Sequence, residues 1–123
     1  MAGPTKEPGA GIRDYIDTPL RVRYADTDKM GVVYYGTYPV YFEVGRDEFM
    51  REKGFSYRDF EEMGFLLVVV GLEAKYINSA VYDDLLTVRT RIAEVRSRGV
   101  TFHYEIYRDG SLVVEGKTRH ICL

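Results

Sequence analysis

The chain has a single cysteine in 123 residues, Cys122, one residue from its end. An internal disulfide is excluded, and so is a thiolate metal cluster held within one chain. Histidine is nearly as scarce: His103 and His120 are the only two, and neither stands near a Ser or Cys motif of the G-x-S-x-G kind. An excess of charge of one sign is missing too, since 17 basic and 19 acidic residues leave a formal net charge of -2. A nucleic-acid binder gathers a basic excess on one face, so no nucleic-acid partner is expected. The longest apolar run, Phe65 to Leu72 (FLLVVVGL), falls far short of the roughly 20 residues that cross a bilayer. The expectation is a soluble, cytoplasmic protein without a membrane span.

The length suits one domain with a single layered core. Its first residues, MAGPTKEPGAG, are rich in Gly and Pro and lack the apolar centre of a secretory signal. They read as part of a flexible tail over residues 1–17, followed by one domain over 18–123.

Beyond the tail, Leu20 to Tyr24 (LRVRY) alternates apolar with charged residues, as a half-buried strand does. A loop from Ala25 to Gly36 follows, with Thr37 placed to cap a helix and Pro39 in the first turn, where no amide donor is needed. Tyr38, Tyr41, Phe42, Gly45 and Phe49 then line one face at helical spacing, and Gly54 marks the stop. Ser56 with Asp59 three residues on, and Gly64 after Met63, frame a shorter helix. The rest reads as four strands: Phe65–Lys75, Leu85–Val95, a stripe of Val100, Phe102, Tyr104 and Ile106, and Ser111–Ile121. Asp109-Gly110 is a type I′ hairpin signal between the last two. Four consecutive antiparallel strands need an apolar face covered, and the helix from Thr37 is the only substantial cover. A curved sheet around one helix is expected, with a sheet edge or open face meeting a second subunit.

The acidic loop carries the chemistry. Residues Arg23 to Arg46 read RYADTDKMGVVYYGTYPVYFEVGR, so Asp26 and Asp28 stand just before the start of the long helix. The simplest reading of a bare D-x-D is that both carboxylates cap turns. A calcium loop beginning at Asp26 would place Met30 and Thr37 at its fifth and twelfth positions, where neither residue type supplies the ligand needed. A magnesium-dependent phosphatase or transferase would also use D-x-D after a strand, but on parallel strands separated by helices, against the hairpins seen downstream. The helix offers another role. Its first amides are unpaired and carry the positive end of the macrodipole, so they suit an oxygen that becomes negative during acyl transfer. A carboxylate such as Asp28 on the far side of that carbon would serve as nucleophile or as general base for water.

Asp28, Met30-Gly-Val-Val-Tyr34, Tyr38 and Tyr41-Phe-Glu-Val-Gly-Arg46 together resemble the signature of the 4-hydroxybenzoyl-CoA thioesterase family, from Thr18 to nearly the end of the chain. The resemblance implies an α+β hotdog fold, in which a curved five-stranded antiparallel sheet wraps one long helix. It implies hydrolysis of acyl-CoA thioesters to a carboxylic acid and CoA, without metal or other cofactor. It assigns the catalytic carboxylate to Asp28 rather than Asp26, and the carbonyl-polarising amides to Tyr35 and Gly36, with Tyr34 and Tyr24 beside them at the substrate. It also implies homo-oligomers, dimers joined edge to edge or tetramers built from them, with each active site at a subunit boundary. Many bacterial relatives carry histidine where this chain has Tyr35, which bears on substrate preference and rate.

Other residues divide between structural and functional readings. Tyr24 suits either strand packing or a hydrogen bond near Asp28. Glu43 on the helix reads as a structural or interface group, and His103 and His120 as surface or interface residues. Arg89 and Arg91 suit a charge-balanced sheet face with Glu94 and Glu105, whereas Arg96 and Arg98 suit the phosphates of CoA. Cys122 reads as a bystander. Two other functions fit the same fold: a non-catalytic module that binds acyl-CoA or acyl carrier protein, and a dehydratase. The dehydratase needs a histidine with its carboxylate, and the loop and long helix contain none.

Overall fold

The computed structural model describes residues 14–54, 57–62 and 64–123. Strand β1 (Tyr15–Arg21) is followed by one-turn 3-10 helices at Tyr24–Asp26 and Tyr35–Thr37, the long helix α1 (Tyr38–Glu52) and the short helix α2 (Tyr57–Glu62). Strands β2 (Leu67–Tyr76), β3 (Leu85–Val95), β4 (Gly99–Arg108) and β5 (Ser111–Cys122) complete the order. All five strands form one antiparallel sheet ordered β1-β3-β4-β5-β2. The architecture is the sheet around one helix that the strand and helix order predicts.

The first strand begins earlier than its alternation suggests. Pairing with β3 fixes it, from Tyr15 opposite Arg91 to Arg21 opposite Leu85, and Tyr24 falls outside it in the 3-10 turn. Of the predicted frame of α2, Ser56 and Met63 lie outside the described residues. The Asp109-Gly110 turn has the expected backbone, with φ of 49° and 81° at its two residues.

Helix α1 buries one stripe: Tyr38, Tyr41, Phe42, Gly45, Arg46, Phe49 and Met50. It meets Val88, Phe102, Tyr104, Ile106 and Val114 from the sheet in a single core, and the rings of Phe42 and Tyr104 stack with centroids 4.4 Å apart. The approach is close. A methyl group on Gly45 would lie 2.6 Å from Val88 Cγ1, and one on Gly116 would lie 2.4 Å from Phe42 Cζ and 2.7 Å from the Glu73 carbonyl.

A polar chain crosses this core. The buried Arg46 guanidinium donates to the Tyr104 hydroxyl at 2.9 Å, that hydroxyl pairs with Thr118, and Thr118 pairs with His120 Nε2 at 2.8 Å. His120, expected at the surface or an interface, lies in the core instead, 2 % exposed. Even-numbered positions of β5 face the helix, and between Val114 and His120 they hold Gly116 and Thr118, so hydrophobicity alone gives no sign of which face is buried. Burial, with Arg46 nearby, pushes the His120 imidazole down to about 4.

Two outcomes follow from this packing. Gly116→Ala should destabilise the fold by about 1–3 kcal/mol through overpacking, measured by denaturant unfolding, and an unchanged midpoint would contradict the close approach. In the unfolded chain His120 takes up a proton near 6.5, but in the folded protein only near 4. Thermal stability should therefore fall as pH drops through that interval, and His120→Gln should flatten that part of the melting-temperature profile. Parallel profiles for the two proteins would contradict the assignment.

Candidate active site

The loop between β1 and α1 is shaped by its own hydrogen bonds. Asp28 opens a tight turn in which the Gly31 amide donates to the Asp28 carbonyl at 2.9 Å and the Met30 amide donates to Asp28 Oδ1 at 2.8 Å. Gly31 closes the turn at φ +82°, a conformation that suits glycine. The Asp28 amide donates to the Val32 carbonyl, Thr27 bridges Val33, and the Val33 amide reaches the Ala80 carbonyl at 2.8 Å. The turn is thus stitched to the connection between β2 and β3, with the Asp28 side chain exposed. Among the described residues no hydrogen bond reaches the second Asp28 carboxylate oxygen.

The same loop leads directly into the helix. The Tyr34 amide donates to the Asp26 carbonyl at 2.9 Å and the Thr37 amide to the Tyr34 carbonyl at 2.8 Å. Tyr35 and Gly36 come first in the one-turn helix that precedes α1, so their amides have no acceptor within it. Thr37 stands at the N-cap position, but its hydroxyl does not cap; it donates back to the Asp26 carbonyl at 3.4 Å. The expected Thr37 cap is corrected in that respect: the 3-10 turn carries the chain into α1.

Aromatic rings surround this end of the helix. Tyr34 and Tyr35 lie 4.7 Å apart by centroids, Tyr35 meets Tyr76 of β2 edge-on at 6.2 Å, and Tyr76 also contacts Tyr38 at 5.8 Å. The Tyr76 hydroxyl donates to the Tyr35 carbonyl at 3.4 Å. The hydrogen bond with Tyr35 raises the Tyr34 hydroxyl above its ordinary range, and the Asp28 charge adds to the rise. Tyr24 does not pack in a strand and makes no hydrogen bond to Asp28; it is 77 % exposed, with its ring against the edge of Tyr82.

The two aspartates differ sharply. Asp26 is buried and accepts from the Tyr41 hydroxyl at 2.9 Å and from the Arg23 amide and guanidinium at 3.1 and 2.9 Å. Burial opposes its ionisation, but the bonds from Arg23 and Tyr41 outweigh that and hold the carboxyl below the usual range. Sequence reasoning missed Tyr41, Arg23 and Tyr76 as parts of the site. The first two carried a faint signal, since Arg23 lies three residues before Asp26 and Tyr41 one helical turn into α1; Tyr76 carried none.

Arg96 and Arg98 are not brought to Asp28 within one chain. They stand in the β3–β4 turn beside a cavity of about 380 Å³ lined by Phe49, Met50, Lys53 and Phe102, at the far end of a 15-residue helix that spans about 22 Å. Arg96 pairs with Glu94 at 3.0 Å. On the outer face of the sheet, His103, Glu105 and Glu115 bring possible ligand atoms within 4.8 Å of one another. Arg91 donates to both His103 Nδ1 and Glu105, and His103 Nε2 lies 3.0 Å from Glu115, so the group is already satisfied as an ion-pair network. Arg89 likewise holds Asp17 through two bonds, at 2.9 and 3.0 Å.

The chain resembles known proteins over most of its length. A family profile described as the thioesterase-like superfamily matches residues 22–123. The acyl-CoA thioesterase YbgC of Haemophilus influenzae is 34 % identical over 106 residues, covering 85 % of this chain and 78 % of that protein. Among solved structures, the hypothetical protein TT1821 from Thermus thermophilus is 41 % identical with a TM-score of 0.86, covering 88 % of this chain and 82 % of the other. The DHNA-CoA thioesterase from Staphylococcus aureus is 37 % identical with a TM-score of 0.86, covering 89 % and 74 %. With its sheet wrapped around α1 and its acidic loop running into the helix start, the chain belongs to the thioesterase-like superfamily and has the hotdog fold.

Proposed function

We propose that this protein hydrolyses acyl-CoA thioesters to the free acid and CoA, with Asp28 as the catalytic carboxylate and the Tyr35 and Gly36 amides as the oxyanion site. The observation that carries this reading is an exposed carboxylate held in a turn that runs by hydrogen bonds into the helix start, where two amides lack helical acceptors. One Asp28 oxygen is engaged by Met30, which leaves the other to attack the thioester carbon or to take a proton from water. Relatives whose names specify acyl-CoA thioesterase support the substrate class.

The site is completed by a second copy of the chain. Strand β2 is a sheet edge with Val68, Val69, Val70 and Leu72 exposed, a surface suited to edge-to-edge pairing. It runs from Leu67, beside the Phe49–Arg98 cavity, to Tyr76, beside Tyr35. Antiparallel pairing of two such edges brings the Asp28 loop of one copy toward the Arg96–Arg98 turn of the other. The two arginines then hold CoA phosphates in trans, and the assembly is a dimer or a tetramer of paired dimers. Among the described residues no helix is long and apolar enough to cross a membrane, and cytoplasmic action on acyl-CoA fits the lone cysteine. A binding module for acyl-CoA or acyl carrier protein is the competing reading.

Asp28→Asn should lower kcat by about a hundredfold or more, the scale of a positioned acid or base, in an assay of thiol release from acyl-CoA. Retention of wild-type turnover would sink the catalytic assignment, and binding without thiol release in the wild type would favour the module. Replacing Arg96 and Arg98 by Ala should raise KM for acyl-CoA and leave kcat unchanged, with no effect on an N-acetylcysteamine thioester, which lacks the phosphates. An equal penalty on both substrates would contradict phosphate binding there.

A further inference from the structure

Among the described residues no hydrogen bond joins Asp28 to α1 or to the amides at its start; the hydrogen-bonded connection runs through Asp26. The backbone carbonyl of Asp26 receives the Tyr34 amide at 2.9 Å and the Thr37 hydroxyl at 3.4 Å. Its carboxylate receives the Tyr41 hydroxyl at 2.9 Å, from the buried stripe of α1, and the Arg23 guanidinium and amide from the end of the preceding segment. This one residue therefore holds three pieces of chain together: the exit from β1, the entry to the 3-10 turn that presents Tyr35 and Gly36, and the first turns of the long helix. Two residues further on, Asp28 starts its turn.

Resting on the catalytic reading of Asp28, we propose that the buried Asp26–Tyr41 pair, steadied by Arg23, is a positioning device that sets where the Asp28 carboxylate stands relative to the helix-start amides. The pair touches no reacting atom. Its effect passes through geometry, because a carboxylate two residues from a rigid anchor keeps its aim only while the anchor is seated. Both groups are out of water, so loss of the Asp26 charge weakens the bond that holds the buried Tyr41 hydroxyl, and loss of the hydroxyl leaves the Asp26 carboxylate to Arg23 alone; either change favours a shift of the loop. A misplacement on the scale of 1 Å costs up to about a hundredfold in rate. It costs little in substrate affinity when the contacts that bind the carrier lie elsewhere.

The test uses Asp26→Asn and Tyr41→Phe in the full-length protein, alone and in the Asp28→Asn background, with kcat, KM and melting temperature measured together. Asp26→Asn should lower kcat about tenfold or more with KM within about twofold of the wild type. Tyr41→Phe, which removes a single hydroxyl and serves if the first variant does not fold, should lower kcat in the same way by a smaller factor. The two substitutions combined should cost less than the product of their separate effects. In the Asp28→Asn background neither should cost anything further, a result that a general structural role would not produce. Wild-type kcat in both single variants, or a further loss without the Asp28 carboxylate, would overturn the positioning role while leaving the catalytic assignment standing. Full activity in Asp28→Asn alone would remove both.

Discussion

Helix α1 lies so near the sheet that neither Gly45 nor Gly116 has room for a methyl group, and the rest of the structure depends on that contact. A single helix must cover the inner face of five strands, and it does so by seating Phe42 over Gly116 and stacking it on Tyr104. Once the helix is fixed at this depth, its first turns stand at a fixed height above the strand ends. Tyr41 then reaches the buried Asp26, and the acidic loop is anchored to the same body as the amides that follow it. Packing and chemistry meet here: the contact that closes the core also sets the frame of the site.

Burial sorts the charged groups. Asp26 is withdrawn from solvent and spends its oxygens on Arg23 and Tyr41, whereas Asp28 faces outward with one oxygen tied to its own turn. Two identical side chains two residues apart thereby stand in opposite surroundings, one buried and bonded and one exposed. Arg46 and His120 illustrate the opposite use of polarity. They lie inside the core, joined through Tyr104 and Thr118, and these buried hydrogen bonds favour one arrangement of helix against strand, although His120 Nδ1 has no partner among the described residues.

Much of this was legible in the residues. The stripe of Tyr38, Tyr41, Phe42, Gly45 and Phe49 marked the buried face of α1, and Asp109-Gly110 marked the last hairpin, because both are local patterns with a direct physical cause. That one short loop carries Asp28, Tyr35 and Gly36 into the start of α1 was legible for the same reason. What could not be read depended on partners distant in sequence. The start of β1 is set by its register with β3, and the inward face of β5 is hidden by Gly116, Thr118 and His120, which carry no hydrophobic signal. The bond between Asp26 and Tyr41 exists only once helix and loop are folded together, and Tyr76 enters the site from the far edge of the sheet.

In the proposed geometry a thioester carbonyl sits with its oxygen toward the amides of Tyr35 and Gly36 and its carbon open to Asp28. A crystal structure with a ketone analogue of acyl-CoA, in which a methylene group separates sulfur from the carbonyl, tests it most directly. The expected result is the ketone oxygen within hydrogen-bonding distance of one of those amides, Asp28 on the other side of the carbon, and the nucleotide near Arg96 and Arg98 of the second copy. A carbonyl oxygen directed away from the helix start, or an acyl group bound out of reach of Asp28, would contradict it.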